Sequence, residues 1–156
     1  MQIRPYASAD WEAVCEIYDL SKPDEMRGGV DVGAIVPLQQ DPSGRALFRD
    51  SAIVVADDGE RVIGFAGHKD NYISWLFVHP AHRRQGVARA LLNEIMGHLE
   101  GAVTLNVGPW NLPARRLYDA FGFATAREFI GTFNGHEVEV LTLVYDPAHR
   151  RSSVRC

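Results

Sequence analysis

The chain has 156 residues, enough for one domain to bury a core without disulfide or metal staples. Hydrophobic content of 46% and charged content of 23% are those of an ordinary globular protein, and a net charge of −4 leaves no global basic field to hold nucleic acid. Two cysteines, Cys15 and Cys156, argue against a disulfide framework, and no apolar run is long enough to span a bilayer. The first residues lack a charged-then-apolar leader pattern, so the expected compartment is the cytoplasm.

In chain order, Ile3 to Tyr6 reads as a short strand, and Ser8 or Asp10 as the cap of a helix through Leu20. The apolar residues Trp11, Val14, Cys15, Ile17 and Tyr18 recur there with helical spacing. Residues 21–50 carry Pro23, Gly28-Gly29, Gly33, Pro37, Pro42 and Gly44 without a clear period. This is the composition of a binding loop or lid, with short helices at 32–39 or 45–49. Residues 51–56 and 61–68 read as strands joined by the turn Asp57-Asp58-Gly59-Glu60, and Lys69-Asp70-Asn71 turns the chain into a third strand, 73–78. A helical period follows from Gly86, with Val87, Leu91, Leu92, Ile95, Met96 and Leu99 on one face, stopped by Glu100-Gly101. Residues 102–107 are the next strand, parallel to 73–78 by a right-handed crossover. Asn111 then caps a helix with Pro113 in its first turn, closed by Gly122. Strands 123–132 and 136–145 form a hairpin around Asn134-Gly135. The expected whole is an α/β mixed sheet in a single domain over 1–146, with a basic C-terminal tail over 147–156.

Chemistry concentrates between strand 73–78 and the helix after it. Pro80 ends the strand, and Arg83-Arg84-Gln85-Gly86-Val87-Ala88 places two guanidiniums before a glycine at a helix mouth. A helix N-terminus presents unpaired N–H groups and partial positive charge, which together bind phosphate. Gly86 lets an anion approach the backbone, and Ala88 leaves the first turn uncrowded. The stretch reads as a pyrophosphate cradle. A basic loop before an amphipathic helix is the plainer reading of the same residues.

Two motifs choose between them. Arg83-x-x-Gly86-x-Ala88 resembles the (Gln/Arg)-x-x-Gly-x-(Gly/Ala) signature of the GNAT superfamily of acyl-CoA N-acyltransferases. Asn111-x-x-Ala114-x-x-Leu117-Tyr118-x-x-x-Gly122-Phe123 resembles its second block, with every specified position filled. The strand and helix order resembles that family over essentially the whole domain, least so at 21–50.

The resemblance implies a GNAT-like sheet whose central parallel strands splay apart, with helices on both faces. It implies acetyl-CoA as co-substrate: the pantetheine arm along Leu76, Phe77 and Val78, the pyrophosphate on Arg83, Arg84, Gln85, Gly86, Val87 and Ala88, and Asn111 touching the cofactor. Tyr118 is implied to face the thioester sulfur. A phenol of pKa about 10 suits hydrogen bonding to a leaving thiolate whose thiol has pKa about 8.5. The implied activity is acetyl transfer to a primary amine, of a small molecule or a peptide, by direct attack. Trp75, Phe77, Trp110, Phe133 and the 21–50 segment are candidate walls of the acceptor pocket, though each aromatic could equally be core. The sheet ends of such proteins often pair, which allows a homodimer.

Two departures bear on the base. Many relatives carry glutamate at the position of Tyr72 and others at that of Asn106, and neither is a carboxylate here. Asp70, Glu25, Glu137 and His68 are left as groups able to act through water. The missing carboxylates also support an alternative, a non-catalytic acyl-CoA-binding regulatory module. A nucleotide-binding domain ranks behind both, since Gly-x-x-x-x-Gly-Lys-(Ser/Thr) and Gly-x-Gly-x-x-Gly are absent. His79-x-x-His82 has no carboxylate or cysteine at metal spacing, so no metal is expected.

Overall fold

A computed structural model describes residues 1–148, apart from the side chain of Val32. Of the tail expected over 147–156, residues 149–156 lie outside the described residues. The strands are β1 (Gln2–Pro5), β2 (Ala52–Asp57), β3 (Val62–Lys69), β4 (Tyr72–Val78), β5 (Val103–Val107), β6 (Ala124–Phe133) and β7 (His136–Tyr145). The helices are α1 (Trp11–Met26), α2 (Pro42–Asp50), α3 (Val87–His98) and α4 (Leu112–Phe121). The strands form one sheet in the order β1-β2-β3-β4-β5-β7-β6.

Turn chemistry sets the hairpins. Asn134 and Gly135 take φ of 48° and 84°, the left-handed pair that a two-residue hairpin turn needs. Gly122 closes α4 at φ 100°, and the Phe123 amide donates back to the Tyr118 carbonyl. All neighbouring strands are antiparallel except β4 and β5.

Helices cover both faces, each over its own apolar cluster. Val87, Leu91, Leu92 and Ile95 of α3 pack with Tyr118 of α4 against Ile63, Ile73 and Leu105. On the other face Val14, Ile17 and Tyr18 of α1 and Phe48 of α2 pack against Val55, Phe65 and Trp75. Cys15 belongs to this second cluster, and burial pushes its thiol up to about 11, as for an inert core cysteine.

The expected end of the first helix at Leu20 is corrected. A 3-10 turn, Ser8–Asp10, precedes α1, which runs through Pro23 to Met26. Asp10 stands at the N-cap position of α1, as expected, but its side chain does not bond the first-turn amides: its buried carboxylate takes Arg4 at 2.9 and 3.0 Å and the Ala7 amide at 2.9 Å. Proline inside a helix costs roughly 3 kcal/mol, so tertiary contacts must hold the last turns. They do: Ser21 Oγ donates to the Val78 carbonyl at 2.9 Å, and Asp19 accepts from the Leu38 amide at 2.9 Å. The segment expected as a lid is thus largely ordered, with α2 covering the helix expected at 45–49.

The parallel pair is open. Tyr72 and Thr104 are its single register pair. The Thr104 amide donates to the Asn71 carbonyl at 3.0 Å, and the Asn71 side-chain amide donates to the Glu100 and Ala102 carbonyls. Beyond that closed end the strands part while β5 continues paired with β7. The splay expected from the family resemblance is present.

Candidate active site

Two cavities lie along the parted strands. The first, about 370 Å³, is walled by Leu76, Phe77 and Val78 of β4, by Arg83 and Ala88 at the start of α3, and by Asn111 and Tyr118 of the α4 segment. The second, about 260 Å³, lies between α1, α2 and the opening of β4 and β5, with Tyr18, Lys22, Tyr72 and Trp75 in its wall. Leu76, Phe77, Asn106, Glu25 and Tyr118 line both. These residues form the partition between the two spaces.

Tyr118 is carried to the partition by α4, whose N-terminus is fixed by Asn111 accepting from the Ala114 amide at 3.3 Å. Its ring packs edge-on to Phe123 at 5.8 Å, and the residue is 8% exposed. Burial, with Glu25 and Tyr72 adding to it, holds the hydroxyl well above the ordinary phenol value. Tyr118 therefore stays neutral at physiological pH and can donate a hydrogen bond. Tyr72 is also raised by burial, with the Asn106 amide opposing the shift.

The helix mouth has the geometry of an anion site. Gly86 sits at φ 80° before α3, and no side chain caps the amides of the first turn. Arg84 is also left-handed, at φ 62°. Arg84, Gln85 and Gly86 are exposed, while the Val87 side chain is buried in the core, so only its backbone faces outward chemistry. Arg83 lines the first cavity, and its guanidinium is paired with Asp24 of α1 at 2.7 Å.

Of the ten positions expected to hold a cofactor, Leu76, Phe77, Val78, Arg83, Ala88 and Asn111 share the first cavity. Arg84, Gln85, Gly86 and Val87 form the loop and first turn beside it. Among the residues missed at this cavity are Ser21, Asp24 and Arg27, hidden behind the early end assigned to the first helix. Trp110, expected as a wall of the acceptor pocket, lines the first cavity instead. Its indole donates to the Glu25 carbonyl at 2.8 Å, and a Cβ on Gly29 or Gly108 would collide with its ring. Trp110 thereby fixes the end of α1 over this cavity.

Among the four groups able to act as a base through water, Glu25 alone lines the cavities. His68 Nδ1 is 3.0 Å from the Asp70 carbonyl in the β3–β4 turn, and Glu137 is exposed beside the β6–β7 turn. Among the described residues no group of three His, Cys, Asp or Glu side chains could hold a metal ion, and no helix is long and apolar enough to cross a membrane.

Residues 11–123 match the Acetyltransferase (GNAT) family, and the chain belongs to that family. It is 24% identical over 152 residues to the uncharacterized N-acetyltransferase YafP of Escherichia coli (strain K12), covering 96% of this chain and 98% of that protein. It is 34% identical over 91 residues to human N-acetyltransferase 8, covering 48% of this chain and 39% of that protein. Among solved structures, a GCN5-related N-acetyltransferase from Rhodopseudomonas palustris superposes with TM-score 0.82 at 18% identity, over 93% of this chain and 94% of that one. The putative acetyltransferase yncA from Salmonella typhimurium, solved with its cofactor acetyl-CoA, superposes with TM-score 0.70 at 19% identity, over 94% and 93%.

Proposed function

We propose that the protein is an N-acetyltransferase that moves an acetyl group from acetyl-CoA to a primary amine by direct attack. The observation that carries this reading is the partition: Tyr118 and Glu25 stand between a cavity that ends at an uncapped helix mouth and a second cavity of small-molecule size.

Acetyl-CoA suits the first cavity. Unpaired backbone on the parted side of β4 matches the amides of a pantetheine arm, by the logic of strand addition. The Gly86 turn and the first amides of α3 match a pyrophosphate, with Arg83 beside them. Acetyl-CoA, when bound, supplies an activated acetyl thioester. Tyr118 hydrogen-bonds the sulfur as negative charge grows there. Its raised pKa means that it stabilises the thiolate chiefly as a donor, since the proton is held more tightly by the phenol than by the thiol. Glu25 takes the proton that the attacking nitrogen must lose. At pH 7 an α-amine of pKa about 8 is roughly one-tenth neutral, whereas a lysine-like amine needs several kcal/mol more help.

The test is release of CoA thiol, with mass spectrometry of the acceptor, over a panel of amines, amino acids and peptide N-termini. Acetyl-CoA-dependent acetylation of at least one amine is expected. Tight acetyl-CoA binding without transfer to any acceptor would instead identify a non-catalytic acyl-CoA-binding module.

A further inference from the structure

The second cavity contains a charge arrangement that the transfer reaction itself does not require. Tyr18, Lys22 and Glu25 are spaced i, i+4 and i+7 on α1 and share one face of it, toward the cavity. Among the described residues of its wall, Lys22 is the one cation and Glu25 the one anion. Lys22 Nζ lies 3.3 Å from Glu25 Oε2, with the lysine side chain 14% exposed. Three aromatic rings surround the ammonium, those of Tyr18, Phe77 and Phe133, at 5.8, 5.7 and 5.2 Å from their centroids. They come from α1, β4 and β6, so the lysine is held by three elements and does not wave in solvent. Trp75, a further residue of this wall, has a buried indole N–H with no partner.

We propose that this cavity selects an acceptor whose amine carries a carboxylate on the adjacent carbon, a free α-amino acid, with Glu25 receiving the ammonium and Lys22 the carboxylate. The proposal rests on the transferase reading and deepens it. An α-amino acid holds its two charges about 3 Å apart, as covalent bond lengths require, a separation comparable to that of the Lys22–Glu25 pair. Such a ligand exchanges one internal ion pair for two across the interface, and no charge is left unmatched. A peptide N-terminus or a lysine side chain offers an ammonium only. If Glu25 turned to it, the partly buried Lys22 would lose its carboxylate and keep only the aromatic rings, which costs part of the pair's stabilisation. Because Glu25 also lines the first cavity, an ammonium bound to it is delivered toward the partition where Tyr118 stands. Lys22 lies one turn earlier on α1, so the carboxylate is placed away from that partition. The cavity of about 260 Å³ has room for a compact molecule of amino-acid size.

The experiment compares matched acceptors at fixed acetyl-CoA: each common amino acid, its α-carboxamide, and the amine lacking the carboxyl group. Wild-type protein is expected to favour the acid over its own amide by about 10- to 100-fold in kcat/KM, the range of a charge-assisted hydrogen bond. Lys22→Gln should remove that preference by lowering kcat/KM for the acids and raising it for the simple amines, which no longer leave a lysine without its carboxylate, with the affinity for acetyl-CoA unchanged. Lys22→Arg should retain part of the preference. Equal use of acid and amide by the wild type, which needs no variant to fold, overturns the proposal and leaves the transferase standing. So does a Lys22→Gln loss that falls equally on acids and amines. Binding of acetyl-CoA without transfer to any acceptor overturns both.

Discussion

Tyr72 and Thr104 form the single register pair between β4 and β5, and both cavities of the candidate site lie on the open side of that pair. Below it Asn71 clamps the strands through the Glu100 and Ala102 carbonyls. Above it the strands separate, and α1 and α4 present side chains across the opening. The splay is a consequence of where pairing stops, and it turns an interior strand into one with a free edge.

Gly86 holds a left-handed conformation at φ 80° with nothing within 4 Å of where a Cβ would stand, so its requirement is conformational and not steric. Valine there carries a backbone penalty of about 1–3 kcal/mol, while asparagine visits this region readily. Acetyl-CoA dissociation constants should therefore rise in the order Gly86→Asn, Gly86→Ala, Gly86→Val, with the last weaker than wild type by about tenfold or more. Calorimetric titration checks the order. Equal affinity across the series would show that the turn does not shape the cofactor site.

Asp24 places a carboxylate on Arg83 at 2.7 Å, in the wall of the cavity assigned to the donor. The guanidinium lowers the Asp24 pKa, so this negative charge is present at pH 7 and stands near the proposed pyrophosphate. Removing it in Asp24→Asn frees Arg83 and should tighten CoA binding. The pair is exposed, so the gain is modest, about two- to fivefold, and should shrink with added salt. A weakened affinity would mean that the pair positions Arg83 and does not compete for it.

The Arg4 hydrogen bonds hold the Asp10 carboxyl below its usual value, helped by the Ala7 amide and opposed by burial. A folded-state pKa below the unfolded value of about 3.9 gives a contribution fully present above that value, lost as pH falls through the lower folded pKa. Asp10→Asn should cost about 2 kcal/mol in urea unfolding at pH 7. The difference from wild type should narrow steadily below pH about 4. A difference constant from pH 7 to pH 2.5 would contradict the assignment.

The motif-bearing parts of the fold were legible because local signals agreed there. Asn111, Pro113 and Gly122 bound α4, Gly86 opens α3, and Asn134-Gly135 turns the last hairpin, each a short-range signal that packing did not override. The end of α1 was hidden for the opposite reason. Pro23 is a helix breaker by local rules, yet the helix is retained because Ser21 and Asp19 bond to distant backbone at Val78 and Leu38. A helix ending at Leu20 has no i, i+4, i+7 face of Tyr18, Lys22 and Glu25, so the cavity beside that face stayed out of sight with it. Trp110 reads as an acceptor-side residue because an aromatic after a strand carries no mark of which side of the opening it takes. Its place is set by Gly29 and Gly108 leaving room for its ring.

Tyr118→Phe tests the account most directly, because the substitution removes one hydroxyl and keeps the ring packed on Phe123. Side by side, acetyl-CoA affinity and single-turnover transfer rate separate binding from chemistry. The expected result is an unchanged dissociation constant with a transfer rate lowered by about 100-fold or more, the range for a group acting only on developing charge. An unchanged rate, or a loss seen wholly in acetyl-CoA affinity, would contradict the role of Tyr118 at the thioester.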